Sequence, residues 1–394
     1  RFGSIEEFKE LVNTAHKHKM KVILDFVANH VHIKNKIYKQ HPDWFGSLTV
    51  DGITNIRKFD AYPFTTWFDT FLPSFDYSNR KAREYIIKSA MFWIKETKID
   101  GFRQDAVKHI PKIFWQELSE KIRKEIEIPG KRVFYQVGES ISGRGTINEF
   151  MGDGMLQGQF DFPLYWSIRS SFGGSGSFKY LNEEISKSIN EYLPDSIMSI
   201  FIGNHDFSRF ASYADGDILI DSTDTIDLAW NNPPETDKAD TYKKTAIAIG
   251  LIMGLNGVPM IYYGDEIAMA GAHDPDNRRM MRFKLNKNEK DLIEKISAFS
   301  VFRQEHPAAR YGSYIPLEVS DKVLVFQKKY FNDTIIIGIN KDNKKISLNI
   351  EDLTDTDIRY KDHISGEEYT IWDEKLKLNI KPLSIIMLSA IKEE

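Results

Sequence analysis

The sequence predicts an α/β fold in which parallel strands alternate with helices, followed by an antiparallel β-domain. Up to about residue 306, short β-branched apolar runs alternate with segments of helical periodicity, and this βαβα order favours a parallel sheet with right-handed crossovers. Beyond residue 307 the hydrophobic period changes to two, which is typical of half-buried antiparallel strands. Three acids, Asp105, Glu139 and Asp206, each close one of the apolar runs.

The first elements are a helix and a buried strand. Ser4 and Glu7 have the spacing of a capping box, and the apolar residues after them recur at helical intervals. The run at residues 21–26 is short and β-branched, as expected for a buried parallel strand, and Asn29 and His30 follow it. The first strand therefore ends in polar groups.

An irregular, aromatic-rich stretch covers residues 31–79. A structureless loop of that length is improbable inside a compact domain, so we predict a small inserted subdomain. Trp44, Trp67 and Phe68 either shape a substrate groove or pack in a core, and the sequence leaves both roles open.

Helices and strands alternate again after this insert. We predict helices near residues 82–93, 113–126, 165–192, 241–255 and 289–303, and strands at residues 99–103, 132–137, 156–160, 197–202 and 259–263. With the strand at 21–26 this gives six strands, two fewer than a closed (β/α)8 barrel of the TIM type. We therefore expect the first two barrel strands to be absent from this chain, and a missing N-terminal segment to complete the barrel.

The predicted organisation has four parts. They are a barrel start at 1–30, an inserted subdomain B at 31–79, the remainder of the barrel at 80–306 and a C-terminal β-sandwich domain at 307–394.

Composition argues against several classes of partner and site. The net charge of the 394 residues is -4 without long single-sign blocks, so neither nucleic acid nor a charged membrane surface is expected as a partner. The absence of cysteine excludes thiolate metal sites and cysteine nucleophiles. No apolar run approaches the roughly 20 residues that span a bilayer.

The three acids have the chemistry needed for glycosidic bond cleavage. Strand ends of a β/α barrel meet on one face, and a retaining enzyme needs two carboxyls about 5 to 5.5 Å apart. Asp105 is the better nucleophile candidate because Arg103, two residues earlier on the same strand face, favours its ionised form. Glu139 has no cation beside it in sequence and is the candidate acid. Asp206, next to His205, would be a third carboxylate that holds substrate hydroxyls and the positive transition state.

Singly, each of these residues is more often a turn former, a salt-bridge partner or a structural histidine. Their occurrence together in one ordered set of motifs indicates function more specifically than any single residue does. The motifs are Asp-Phe-Val-Ala-Asn-His at 25–30, Gly-Phe-Arg-Gln-Asp at 101–105, Gly-Glu at 138–139, Asn-His-Asp at 204–206 and Gly-Val-Pro-Met-Ile-Tyr-Tyr-Gly-Asp-Glu at 257–266. In this order and spacing they resemble the conserved regions of the α-amylase family of glycoside hydrolases.

The resemblance implies a role for each matching residue. Asp105 would be the nucleophile, Glu139 the general acid/base and Asp206 the transition-state stabiliser. The implied substrate-binding residues are His30, Arg103, Lys108, His109, Asn204, His205, Asp274 and Arg278.

The implied activity is retaining hydrolysis of α-1,4 glucosidic bonds in starch, maltodextrin or related α-glucans, through a covalent glycosyl-aspartate, with α-1,6 bonds left open. No cofactor is required for it. Two alternatives stay open: an α-glucan transglycosylase that uses the same acids, and a noncatalytic carbohydrate-binding barrel.

The sequence departs from the family pattern at Gln104 and at Ser74. Gln104 replaces a usually aliphatic residue, and strand alternation predicts that its side chain points away from Asp105. Ser74 stands where many members have an aspartate that helps to bind calcium. Asn29 and the backbone at His109 remain candidate ligands, so calcium stays open, but it is not predicted, because it usually needs carboxylates. The family's sugar-stacking aromatic near the first barrel strands has no counterpart after Arg1.

Overall fold

The computed structural model describes residues 3–222, 225–351, 353, 359–372 and 375–391. The chain forms two compact units. Unit 1 comprises Arg1–Phe162 with Tyr192–Ser199, and unit 2 comprises Pro163–Glu191 with Ile200–Glu394. This division differs from the four parts expected from sequence, which remain a prediction.

Unit 1 contains the first helices and strands. Its helices are α1 (Ile5–Lys17), α2 (Lys36–Gln40), α3 (Arg80–Thr97), α4 (Lys112–Ile122), α5 (Ile128–Gly130) and α6 (Arg144–Asn148). Its strands are β1 (Ile23–Phe26), β2 (Thr49–Val50), β3 (Ile53–Thr54), β4 (Gly101–Gln104), β5 (Tyr135–Gly138) and β6 (Gly158–Gln159). The predicted capping box is confirmed, because the Ser4 hydroxyl accepts a bond from the Glu7 amide while the Glu7 side chain accepts one from the Ser4 amide.

The strands β1, β4, β5 and β6 form one parallel sheet in that order. Asp25 is paired with Arg103, and Gln104 with Gly138. The parallel sheet is thus confirmed, but β5 starts later than predicted. The Phe134 amide donates to the Glu127 side chain at 2.8 Å instead of joining the strand ladder.

The core of unit 1 includes residues of the insert as well as of the sheet. Trp44 and Trp67 are buried, and the Trp67 indole donates to the Gly46 carbonyl at 2.6 Å. Phe68 instead lies against two histidines, with ring centres 5.0 Å from His30 and 5.2 Å from His109. Of the three aromatic residues, only Phe68 lies beside predicted site residues.

Unit 2 begins with helices and the last two strands of the alternating region. These elements are α7 (Phe162–Gly173), α8 (Phe178–Asn190), β7 (Ser199–Phe201), α9 (Phe210–Asp215), α10 (Ile226–Asn231), α11 (Ala239–Gly254), β8 (Val258–Met260), α12 (Lys287–Glu305) and α13 (Pro307–Tyr311). The strands β7 and β8 pair with each other. The helices α9, α10 and α13 were not predicted.

The C-terminal part of unit 2 is an antiparallel sheet, as predicted. Its strands are β9 (Ser313–Val319), β10 (Val323–Tyr330), β11 (Asp333–Asn340), β12 (Ile346–Ile350), β13 (Arg359–Asp362), β14 (Glu368–Trp372), β15 (Lys375–Ile380) and β16 (Ser384–Ala390), in the order β12-β15-β14-β13-β16-β11-β10-β9. Along β10, Leu324 and Phe326 join the core that contains α11 and α12, whereas Val323 and Val325 face the core of the sheet itself. This alternation explains the period of two.

Over the described ranges, every helix is too short or too polar to cross a bilayer.

Candidate active site

Arg103, on β4, joins three carboxylates in unit 1. Its Nη1 donates to Oδ1 of Asp25 at 2.8 Å and to Oδ1 of Asp105 at 2.7 Å. Its Nη2 donates to Oε2 of Glu139 in a short hydrogen bond. These residues belong to β1, β4 and the end of β5, so one guanidinium gathers acids from three adjacent strands.

Backbone hydrogen bonds also fix the positions of Asp105 and Glu139. The Asp105 amide donates to the Phe26 carbonyl at 3.3 Å, and the Glu139 amide donates to the Gln104 carbonyl at 2.9 Å. The ladder of the parallel sheet therefore continues one residue past β4 and β5. Both acids are positioned by rigid sheet backbone, and not by a loop.

Arg103 is buried, with only 10% of its side chain exposed. Burial disfavours the charged guanidinium, but the attraction of Glu139, Asp25 and Asp105 outweighs this effect and raises the pKa of Arg103 above its ordinary value. It is therefore a permanent cation. Glu139 has no cation beside it in sequence, but the pairing of adjacent parallel strands brings Arg103 beside it in the structure.

Asp25 is the first residue of the motif at 25–30 but was not predicted as a site residue. It pairs with Arg103 across β1 and β4 and binds its guanidinium. The predicted parallel sheet indicates that β1 lies beside β4. The register of the two strands, which pairs Asp25 with Arg103, is not visible in the sequence.

His30 and His109 both lie against the Phe68 ring in unit 1. Burial lowers the pKa of His30, although the nearby Asp105 carboxylate opposes this shift. Burial also lowers the pKa of His109 to about 4, against the opposing hydrogen bond of its Nδ1 with the Pro63 carbonyl at 3.1 Å. Both imidazoles are neutral near pH 7, so at this pH they offer hydrogen-bonding groups and not positive charges.

Lys108 lies next to His109 and reaches the segment after Glu139. Its Nζ donates to the Ile141 carbonyl at 2.7 Å. Burial lowers the pKa of Lys108, while the Asp60 carboxylate opposes this shift. The structure therefore connects Lys108 with the segment that follows the candidate acid.

The surroundings of Asn29 do not fit calcium. The buried Asn29 amide donates to the Ser74 hydroxyl at 3.2 Å, and that hydroxyl donates to the Thr66 carbonyl at 2.7 Å. Calcium takes roughly six to eight oxygens and usually carboxylates among them, whereas these groups are neutral and hydrogen-bonded to one another.

Gln104 adopts the orientation that was predicted for it. Its Nε2 donates to Oε1 of Gln136 at 2.9 Å, and Gln136 in turn donates to the Ser119 hydroxyl on α4 at 3.0 Å. The Gln104 side chain thus lies on the face of the sheet opposite to Arg103, on the side of α4.

In unit 2, the remaining predicted residues surround Asp206. The Asp206 amide donates to Oδ1 of Asn204 at 3.0 Å, and Nε2 of His205 lies 3.4 Å from Oδ1 of Asp206. Nη2 of Arg278 lies 3.7 Å from Asp206 and 3.3 Å from Asp274. All five are therefore in contact through one local network. Asp206 itself is partly exposed, so it is accessible to a ligand.

Asn277 supports this network and was missed in the sequence. It is fully buried, and its Nδ2 donates to the carbonyls of His205 at 2.8 Å and Phe207 at 2.9 Å. These carbonyls flank Asp206, so Asn277 fixes the backbone on both sides of the acid. The residue lies in the segment Asp-Pro-Asp-Asn-Arg at 274–278, of which only the terminal residues Asp274 and Arg278 were predicted to bind substrate.

Comparison with known proteins identifies a family for this chain. The model of the α-amylase catalytic domain family matches residues 1–52 and 55–310. The chain is similar to an α-amylase from Geobacillus thermoleovorans, solved in complex with acarbose, at 28% identity and a TM-score of 0.84 over 100% of this chain and 82% of that one. The fold class is therefore a TIM-type barrel with a C-terminal antiparallel β-domain.

Two curated relatives are similar at the sequence level. A cyclomaltodextrinase from Thermoanaerobacter pseudethanolicus is 26% identical over 87% of this chain, and a cyclomaltodextrin glucanotransferase from Klebsiella oxytoca is 24% identical over 100% of it. The chain spans 56% and 64% of the lengths of these two relatives. The family match covers most of the chain and includes all three candidate acids. The chain belongs to the α-amylase family.

Proposed function

We propose that this chain is the catalytic part of an enzyme that cleaves α-glucosidic bonds in starch, maltodextrin or related α-glucans with retention of configuration. The observation that carries the proposal is the contact of one buried guanidinium, Arg103, with both Asp105 and Glu139. Two carboxyls held by neighbouring nitrogens of one group suit the close spacing of a retaining pair, about 5 to 5.5 Å, better than the wider spacing of an inverting pair.

In the first step, a carboxylate oxygen of Asp105 attacks the anomeric carbon. The bond from that carbon to the glycosidic oxygen breaks, and Glu139 transfers its proton to the departing oxygen. A carboxyl group has two oxygens, so the bond from Arg103 to Oε2 of Glu139 is compatible with a proton on Oε1. The product of this step is a covalent glycosyl-aspartate and a shortened glucan.

In the second step, the Glu139 carboxylate takes a proton from water while the water oxygen attacks the anomeric carbon. The bond to Asp105 breaks and its carboxylate is restored. Arg103 stays charged throughout because of its raised pKa. It therefore stabilises the Glu139 carboxylate after the first step and the Asp105 carboxylate after the second.

Asp206 is the proposed third carboxylate. It would stabilise the positive charge of the oxocarbenium-like transition state, and His205 and Asn204 beside it would bind sugar hydroxyls. Asp274 and Arg278 form an exposed pair next to this acid, and we assign them to the neighbouring sugar. His30, His109 and Lys108 complete the proposed substrate-binding set in unit 1.

Transfer to a second sugar is the competing outcome of the same intermediate. The similar proteins include both a cyclomaltodextrinase and a cyclomaltodextrin glucanotransferase, so the choice of acceptor needs a direct measurement. Products longer than maltotriose, formed from maltotriose, would establish transfer, whereas only shorter sugars would establish hydrolysis. The products of pullulan digestion would then separate α-1,4 from α-1,6 cleavage.

The substitution Asp105→Asn tests the proposal. We expect maltodextrin cleavage to fall on the order of 10⁴-fold, because the amide is not a nucleophile. Asp195→Asn is the matched control, since Asp195 is exposed in the same unit, and it should cleave at the wild-type rate. Undiminished cleavage by Asp105→Asn would overturn the nucleophile assignment. A wild-type protein that binds maltodextrin but does not cleave it would favour the noncatalytic barrel.

A further inference from the structure

Three side chains that could ligate a metal ion gather in unit 2, and none of them belongs to a family motif or to the proposed reaction. They are Glu305 at the end of α12, His306 between α12 and α13, and His363 in the turn after β13. One potential ligand atom from each residue lies within 4.8 Å of the corresponding atoms of the other two. Neither histidine is more than partly exposed, while Glu305 is exposed.

The separation of the two imidazoles suits a shared metal ion. The ring centres of His306 and His363 are 5.1 Å apart, and their planes are inclined by 81°. Two imidazoles on one tetrahedral zinc ion, with Zn–N bonds of about 2.0–2.1 Å, place their ring centres about 5 Å apart. The rings therefore already have the spacing that such an ion needs.

Each histidine also has a partner that orients it. Nδ1 of His306 is 2.9 Å from Oδ1 of Asp333, and Nε2 of His363 is 2.7 Å from Oγ of Ser389. Metal-ligating histidines characteristically bond a carboxylate or another polar group through one ring nitrogen, which leaves the other nitrogen for the metal. Here both rings show that arrangement, with Nε2 of His306 and Nδ1 of His363 as the remaining nitrogens.

Asp333 and the backbone of His363 are fixed by hydrogen bonds to neighbouring secondary structure. Oδ2 of Asp333 accepts from the Ala308 amide at 2.8 Å, and the His363 amide donates to the Met387 carbonyl on β16 at 2.9 Å. The Phe302 ring packs against both imidazoles, at 4.7 Å from His306 and 5.1 Å from His363. These contacts restrict the rotation of both rings before any ion binds.

We propose that Glu305, His306 and His363 form a binding site for a divalent transition-metal ion, best matched by Zn²⁺. Two imidazoles and one carboxylate are a ligand set that suits zinc and not calcium or magnesium, which prefer oxygen ligands. Ligand atoms on tetrahedral zinc lie about 3.3 Å apart, so the three atoms must approach one another by at most about 1.5 Å. The exposed side chain of Glu305 has room for such a rotation, and water would be the fourth ligand.

The consequence of binding would be structural. The ion would connect the junction of α12 and α13 with the turn after β13, within unit 2. Binding to the folded state alone stabilises that state, so Zn²⁺ should raise the Tm of the protein.

The test uses the full chain without an affinity tag, treated with a chelator and then titrated with ZnCl₂ by calorimetry. We expect one Zn²⁺ per chain and a higher Tm in its presence. Glu305→Gln, His306→Gln and His363→Gln should each weaken binding at least about 10-fold. Asp333→Asn should weaken it about 10- to 100-fold, because it removes the carboxylate that orients His306. His18→Gln replaces an exposed histidine of unit 1 and is the matched control.

Glu305→Gln is expected to fold like the wild type because the side chain is exposed, so a loss of Zn²⁺ binding in this variant would not result from misfolding. Circular dichroism and the metal-free Tm of each variant identify any variant that does not fold. The proposal is overturned if the wild-type chain binds no Zn²⁺, or if folded Glu305→Gln and His306→Gln bind it as tightly as the wild type does.

Discussion

Nη1 of Arg103 donates a hydrogen bond to Oδ1 of Asp105 at 2.7 Å, and the two residues are two positions apart in the chain. Alternate residues of a strand point to the same face, so this contact follows directly from the extended backbone of β4. The same guanidinium reaches Glu139 through Nη2. Arg103 therefore couples the candidate nucleophile to the candidate acid, and a change at this residue should affect both.

Arg103→Lys should reduce kcat/KM for maltodextrin by on the order of 10²-fold or more. Lysine keeps the positive charge, but a single ammonium cannot reproduce the planar fork that binds two carboxylates at once. Steady-state kinetics measures the effect, with Arg80→Lys as the control because Arg80 is exposed and forms a surface ion pair with Glu84 on α3. Activity within about twofold of the wild type would show that the charge alone suffices.

His109 should make the protein less stable in mild acid. Its pKa is about 4 in the folded protein, against 6.5 for the free group. The unfolded chain therefore binds more protons between these values, and the contribution of His109 to the free energy of unfolding is complete above pH 6.5 and is lost as the pH falls towards 4. At about pH 5 the loss should be about 1–2 kcal/mol.

Urea denaturation of the wild type and of His109→Gln at about pH 7.5 and about pH 5 measures this contribution. The difference in the free energy of unfolding between the two pH values should shrink in the variant, and His18→Gln should leave it unchanged. An identical pH dependence in His109→Gln and the wild type would contradict the assignment.

Asn277→Ala should lower kcat by about 10- to 100-fold, because displacement of a catalytic group by even about 1 Å costs rate on that scale. The variant leaves the carbonyls of His205 and Phe207 without the Asn277 donor, which should also destabilise the fold by about 1–3 kcal/mol. Kinetics measured well below the Tm of each variant separates the two effects. Asn343→Ala, at an exposed turn position, is the control. A wild-type kcat combined with a lowered Tm would mean that Asn277 only stabilises the fold.

Gln104→Leu should leave kcat within about twofold of the wild type, because the side chain bonds Gln136 on the face opposite Arg103. The single substitution removes a donor from a buried amide and should cost about 1–3 kcal/mol, whereas Gln104→Leu with Gln136→Leu should recover part of this loss. Thermal unfolding of the two single variants and the double variant tests the coupling. A large loss of kcat in Gln104→Leu would show that the residue acts on the site.

The sequence was most informative about features that depend on local periodicity. The capping box at Ser4, the alternating order of helices and strands, the face of Gln104 and the antiparallel period after Pro307 all follow from spacing along the chain, and the structure confirms them. The family motifs added the candidate acids, which no periodicity identifies as a set.

The features that the sequence did not provide depend on contacts between distant segments. The bond between Arg103 and Glu139 requires the register of β4 with β5, and the role of Asp25 requires the register of β1 with β4. Asn277 acts through backbone carbonyls about seventy positions earlier in the chain, which leave no residue-specific trace. The grouping of His306 with His363 depends in the same way on the packing of α12 against the C-terminal sheet.

The measurement that tests the central proposal most directly is mass spectrometry of the protein after reaction with a fluorinated α-glucosyl fluoride. Fluorine on the sugar slows the second step, so the covalent intermediate accumulates. We predict one added fluoroglycosyl group per chain, located by peptide mapping on Asp105 and absent from Asp105→Asn. A label on another carboxylate, or full activity towards maltodextrin without any labelled chain, would contradict the proposed mechanism.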